Sequence, residues 1–129
     1  MSIFGIGIDI VQIDRVRSSL DRLGDAFAKK ILHPNELEKF NSLKRKERYL
    51  AKRFAVKEAF AKALGTGIVE GVTLPRIEVV NSKDGKPEIV LHGATRERAD
   101  SQNIKSIFVS ISDEKEYAVA QVVLENQAP

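Results

Sequence analysis

Two acidic side chains stand where their neighbours make a charge expensive, and together they could serve phosphoryl chemistry. Asp9 falls in a run of β-formers, Ile3-Phe4-Gly5-Ile6-Gly7-Ile8-Asp9-Ile10-Val11, although aspartate is depleted from strands. On a period of two, Phe4, Ile6, Ile8 and Ile10 share one face, and Gly5, Gly7 and Asp9 share the other. The glycines clear space beside the carboxylate and mark a close approach to the backbone. A strand-end aspartate that caps the following helix would leave the same trace. Glu58 lies in a helical stretch with Ala51, Phe54, Ala55 and Ala61 on its side, and Val56, Phe60, Ala63 and Leu64 opposite. A helix apolar nearly all round is buried, and a carboxylate in it needs a partner. Lys62, one turn on, supplies the simplest one, an ordinary i,i+4 pair.

If Asp9 and Glu58 converge, they form a hard, oxygen-rich site in a chain without cysteine. Such a site suits Mg²⁺, which takes one or two protein carboxylates and completes its shell with water and phosphate oxygens. Lys57 and Lys62 would add positive charge beside those phosphates, and the backbone N–H groups of Gly65-Thr66-Gly67 could hold a further anion. Magnesium-assisted phosphoryl transfer is the chemistry this set of residues fits.

These side chains depend on a strand over residues 3–11 and a long buried helix over about 44–64, closed by Gly65. Between them, Asp14 and Asp25 are expected to cap helices over 14–23 and 25–32, and Pro34 to open another over 34–43. The second half reads as a hairpin, 76–80 with 88–91 around Asp84-Gly85-Lys86-Pro87, a short helix over 92–101, and a second hairpin, 106–112 with 117–124. Ala118, Ala120, Val122 and Leu124 suit a core. The pattern is α+β, an antiparallel sheet packed against helices.

With 129 residues, 43% hydrophobic and 30% charged, the chain reads as one domain over 1–129, and a disordered tail is excluded. Without cysteine there is no disulfide framework, no thiolate metal site and no cysteine nucleophile. The longest apolar run is too short for a bilayer, and the N-terminus lacks the basic region of a signal peptide, so the expected location is the cytoplasm. Net charge is +3, divided as +6 over residues 1–64 and −3 over 65–129. Arg15 and Arg22 share a helical face, with Arg17 displaced, Val16, Leu20 and Leu23 forming an apolar stripe, and Lys29 and Lys30 extending the field. This surface suits an acidic partner.

Gly5-Ile6-Gly7-Ile8-Asp9, followed by Arg53-Phe54-Ala55-Val56-Lys57-Glu58-Ala59-Phe60-Ala61-Lys62-Ala63, resembles the holo-[acyl-carrier-protein] synthase family, the small phosphopantetheinyl transferases. Gly65-Thr66-Gly67, Val109-Ser110-Ile111-Ser112 and Tyr117-Ala118-Val119-Ala120 extend the likeness over the chain. The resemblance implies a 4′-phosphopantetheinyl transferase-like fold. It implies transfer of 4′-phosphopantetheine from coenzyme A to a serine of apo acyl carrier protein, with release of 3′,5′-ADP, in fatty acid biosynthesis. It further implies Asp9 and Glu58 as magnesium ligands and Asp9, Glu58 and Lys62 as the catalytic set. Coenzyme A contacts would come from Arg53, Lys57, Lys62, Gly65, Thr66 and Gly67. The carrier would dock on Arg15, Arg22 and Lys30, and a homotrimer would hold active sites between subunits. Asp113 departs from the pattern: many members have histidine there beside a coenzyme A phosphate, and aspartate brings no such positive charge.

A basic nucleic-acid-binding module is the rival reading, given a pI near 9.2. No tryptophan and no aromatic strand cluster interleaved with Lys/Arg speak against it. A purely structural trimer would explain the row Ala51, Ala55, Ala59, Ala63 but not Asp9. His33 and His92, the only histidines, match no catalytic motif and read as surface residues. The nucleophile would be the partner's serine, with Asp9 and Glu58 both open as routes for its proton.

Overall fold

The N-terminal alternation becomes strand β1, Ser2–Gln12, in a computed structural model that describes residues 1–127. Three helices follow, α1 Ile13–Leu23, α2 Asp25–Ile31 and α3 Pro34–Ser42, and then the long α4, Glu47–Leu64. Strands β2, Ile77–Asn81, and β3, Pro87–Leu91, form the first hairpin. Helix α5, Gly93–Ser101, leads into the second hairpin, β4 Ile104–Asp113 and β5 Tyr117–Asn126. The main sheet is antiparallel with order β1-β5-β4, and β2-β3 is a separate two-stranded sheet. The α+β expectation is met. Among the described residues no helix is long and apolar enough to cross a membrane.

Helix α4 lies across the main sheet, with ten of its 18 residues buried. Ala118, Ala120, Val122 and Leu124 of β5 pack beneath it, all nearly inaccessible. The contact with β1 is closer still. A Cβ on Gly5 would sit 1.9 Å from the Ala63 carbonyl oxygen, and one on Gly7 1.9 Å from that of Ala59. The bare strand face thus meets the alanine row of the helix backbone to backbone. Gly7→Ala is expected to lower the unfolding free energy by about 3 kcal/mol, because strand and helix must separate to admit a methyl group. A urea midpoint equal to that of the wild type would contradict this packing.

Several boundaries differ from expectation. Helix α4 starts at Glu47, not Lys44, because Lys46 turns back and donates to the Phe40 and Leu43 carbonyls at the end of α3, 3.2 and 2.9 Å away. Asp14 does not cap α1: the Ile13 amide donates to the Glu116 carbonyl at 2.9 Å, and Asp14 pairs with Arg17 at 2.7 Å. Asp25 is the first residue of α2 rather than its cap; Gly24, at φ 65°, makes that turn. The stripe expected beside Arg15 faces inward at Val16, and Leu23 alone of its three residues is exposed.

Glu36 is the polar centre of the core. It is 3% exposed and joins three elements. One oxygen accepts from the His33 amide and from Lys57, and the other from the Val79 amide.

Candidate active site

β1 and α4 bring Asp9 and Glu58 to one place. Asp9 shares the α4-facing side of β1 with the glycines, and its side chain is 17% exposed. Lys62 donates to Asp9 Oδ1 and to the Ile8 carbonyl, each at 3.0 Å. The lysine therefore reaches across to the strand instead of forming the simple helical pair with Glu58. Glu58 is half-buried. Burial, and then the charge of Asp9, push its carboxyl above the ordinary value, with Lys62 pulling the other way. A half-buried carboxyl opposed by the Asp9 charge, beside one ammonium that bonds Asp9, makes a donor set short of positive charge. This fits a hard cation of the Mg²⁺ type.

Lys57 does not join this site. It is fully buried on another side of α4, where it donates to Glu36 and to the Ile31 carbonyl at 2.7 Å. Burial lowers its pKa to about 8 against the pull of Glu36. Its role is to neutralise a core carboxylate, and it offers nothing to a ligand. The Gly65-Thr66-Gly67 run is no anion cradle either. The Gly65 and Gly67 amides donate to the Lys62 and Ala61 carbonyls, closing α4 at its negative end. Thr66 Oγ1 donates to the Gly67 carbonyl at 2.8 Å. Apart from chain neighbours, nothing lies within 4 Å of where a Cβ on Gly65 or Gly67 would sit, so there is open space beside both glycines.

A second feature was not expected. A cleft of about 970 Å³ opens between the start of α4, β4 and the β2-β3 turn, lined by Arg17, Lys39, Arg45, Arg48, Lys52, Arg53 and Lys86. Arg53 stacks on Tyr49, 4.1 Å from the ring centre, and donates to the Val79 carbonyl at 3.3 Å. Asp113 also lines the cleft and accepts from Arg48 at 2.7 Å. Asp113, which departs from the resembled pattern, is thus neutralised by Arg48 within the chain. The run Lys44-Arg45-Lys46-Glu47-Arg48 was the sequence signal for this cleft, but it reads equally as a solvated helix face. None of Asp9, Glu58 and Lys62 lines the cleft. On α1, Arg15 and Arg22 are exposed around a shallow groove with Asp14, Ser18 and Ser19, and Lys30 is exposed on α2.

An acidic pair suited to a hard cation, with a separate cationic cleft suited to a polyanion, is equipment for phosphate-ester chemistry on an α+β scaffold. Comparison with known proteins gives the same class. The model of the 4′-phosphopantetheinyl transferase superfamily matches residues 5–122. A holo-[acyl-carrier-protein] synthase of Vibrio atlanticus is 54% identical over 126 residues, 98% of this chain and 100% of that protein. The crystal structure of the corresponding synthase from Neisseria meningitidis superposes with a TM-score of 0.92 at 43% identity, covering 96% of this chain and 99% of that one. The Bacillus anthracis synthase in complex with CoA (3′,5′-ADP) gives 0.83 at 40% identity over 98% and 100%. The chain belongs to the 4′-phosphopantetheinyl transferase superfamily and, within it, to the holo-[acyl-carrier-protein] synthases.

Proposed function

We propose that this protein is a single-domain cytoplasmic transferase of fatty acid biosynthesis that moves 4′-phosphopantetheine from coenzyme A to a serine of apo acyl carrier protein. The serine Oγ–P bond forms as the hydroxyl proton passes to one of the carboxylates Asp9 and Glu58, the P–O bond to the nucleotide's 5′-phosphate breaks, and 3′,5′-ADP leaves. The observation that carries this reading is Lys62 seated between Asp9 and the Ile8 carbonyl, beside a half-buried Glu58 whose charge Asp9 opposes.

Asp9 and Glu58 would hold Mg²⁺, which, when bound, neutralises charge on the coenzyme A pyrophosphate. Lys62 bears its positive charge toward the transferred phosphate, and its link to Asp9 keeps it there. The open space beside Gly65 and Gly67 leaves passage for the pantetheine arm. Arg45, Lys52 and Arg53 offer the cleft's charge to the nucleotide phosphates.

The carboxylate pair and the cleft are separate in one protomer, which supports a homotrimer that joins them across subunits. The outer face of the sheet supports this too. Ile6, Ile8 and Ile10 are 58%, 59% and 64% exposed, and Phe108 of β4 is 50% exposed. Ile6 pairs with Val123 and Phe108 pairs with the same valine, so the apolar patch runs across three strands. A monomer that left it in water would be prone to association.

Acyl carrier protein docks on the exposed guanidinium groups of Arg15 and Arg22, with Lys30 extending the field. Arg15→Glu is expected to raise the carrier KM about tenfold at low ionic strength and to leave the coenzyme A KM unchanged. Unchanged carrier kinetics in initial-rate assays would remove α1 from the docking surface.

The overall reading is tested by incubating the protein with apo acyl carrier protein, coenzyme A and Mg²⁺, and weighing the carrier by mass spectrometry. A gain of one phosphopantetheine with matching 3′,5′-ADP release is expected. An unmodified carrier beside a folded protein would refute it.

A further inference from the structure

The two histidines, expected as unrelated surface residues, are stacked on one another over a buried acid. Their ring centres are 4.3 Å apart and the planes differ by 21°. His33 precedes α3, His92 precedes α5, and Glu78 lies between them on β2. His92 Nε2 is 2.8 Å from Glu78 Oε1, and His33 Nδ1 is 3.9 Å from the same oxygen. One ligand atom from each residue lies within 4.8 Å of the other two. The second Glu78 oxygen accepts from Asn35 Nδ2 at 3.2 Å, which fixes the carboxylate and leaves Oε1 facing the rings.

The charge balance is uneven. The Glu78 side chain is 8% exposed, and among the described residues no lysine or arginine forms an ion pair with it. A buried carboxylate whose neighbours are two imidazoles and an amide is a donor set without a permanent cation.

We propose that His33, Glu78 and His92 form a binding site for a borderline-soft divalent ion of the Zn²⁺ class, distinct from the Asp9–Glu58 site. Two imidazoles and one carboxylate are a donor set that zinc accepts and magnesium does not favour. Asn35 is the outer partner that such ligating carboxylates keep. The half-exposed edge of His92 gives the ion entry and leaves room for water as a further ligand. Binding replaces two hydrogen bonds. His92 moves its proton from Nε2 to Nδ1 and presents Nε2 as a lone pair. The Asn35 amide, which donates to His33 Nδ1 at 3.1 Å at an exposed helix end, turns to water. The ion would staple α3, β2 and the start of α5. Val79, the next residue on β2, bonds both Glu36 and Arg53, so the staple sits directly behind the basic cleft.

The test is calorimetric titration of the full chain with Zn²⁺ in excess Mg²⁺, together with the thermal midpoint. One Zn²⁺ per chain and a raised midpoint are expected. Asn35→Ala, which removes no ligand, should weaken binding about tenfold. His92→Ala, checked for folding by circular dichroism, should weaken it further. Asp9→Ala should leave it unchanged. Zn²⁺ uptake indifferent to Asn35→Ala and His92→Ala, uptake lost with Asp9→Ala, or no uptake by the folded wild type would each overturn the proposal.

Discussion

Glu58→Gln is expected to slow phosphopantetheine transfer on the order of 100- to 1,000-fold while leaving the protein folded and, without metal, no less stable. The loss follows from the site's electrostatics. Burial and then the charge of Asp9 raise the cost of ionising Glu58, and Lys62 offsets only part of it. That repulsion is the attraction the pair offers to a divalent ion. Removing one carboxylate relieves the repulsion and removes the ligand together. The pH dependence of stability reads the same feature. Glu58 is raised above its ordinary 4.5 in the folded protein. Between that value and the raised one, the folded state holds a proton that the unfolded state has released, so Glu58's contribution to stability falls as pH rises through this window. The decline should be present in metal-free wild type and missing from Glu58→Gln in thermal melts from pH 4 to 7. Parallel profiles for the two proteins would show that neither burial nor Asp9 raises Glu58.

Activity regained by mixing two dead variants is the second large effect. Glu58→Gln damages the carboxylate pair, and Arg45→Glu reverses a charge in the cleft. Each alone should be nearly inactive. None of Asp9, Glu58 and Lys62 lines the cleft, and on the homotrimer proposed above a site joining the two features would draw them from neighbouring subunits. Co-expressed with separate affinity tags, the variants assemble into mixed trimers in which one interface in three carries both intact halves. Random assembly then restores roughly a quarter of wild-type turnover. Purified mixed trimers as inactive as the parents would place the whole site within one protomer.

How much of this was readable in the sequence depended on the distance over which each residue finds its partner. β1 and α4 announce themselves locally, by alternation and by apolar wrapping. The Gly5-Gly7 and Ala59-Ala63 match announced that two backbones meet. What failed was the direction of Lys57. α4 is apolar on every side, so its sequence cannot say which face meets the site, and the residue that claims Lys57 is Glu36 on α3. Gly65-Thr66-Gly67 was misread because the same residues that form anion cradles at helix starts close helices at their ends, and here they do the latter. The basic cleft left only the ambiguous run over residues 44–48 in the sequence, because its cations come from α1, α3, the α3-α4 connection, α4 and the β2-β3 turn. The neutralisation of Asp113 by Arg48 and the pairing of His33 with His92 are likewise long-range facts.

If Asp9 and Glu58 share one divalent ion, Mn²⁺ in place of Mg²⁺ reports it. Titration of free Mn²⁺ by electron paramagnetic resonance, with coenzyme A present, should show one bound ion per chain in the wild type. That binding should be lost in Asp9→Ala. Undiminished Mn²⁺ binding by a folded Asp9→Ala protein would contradict the account at its base.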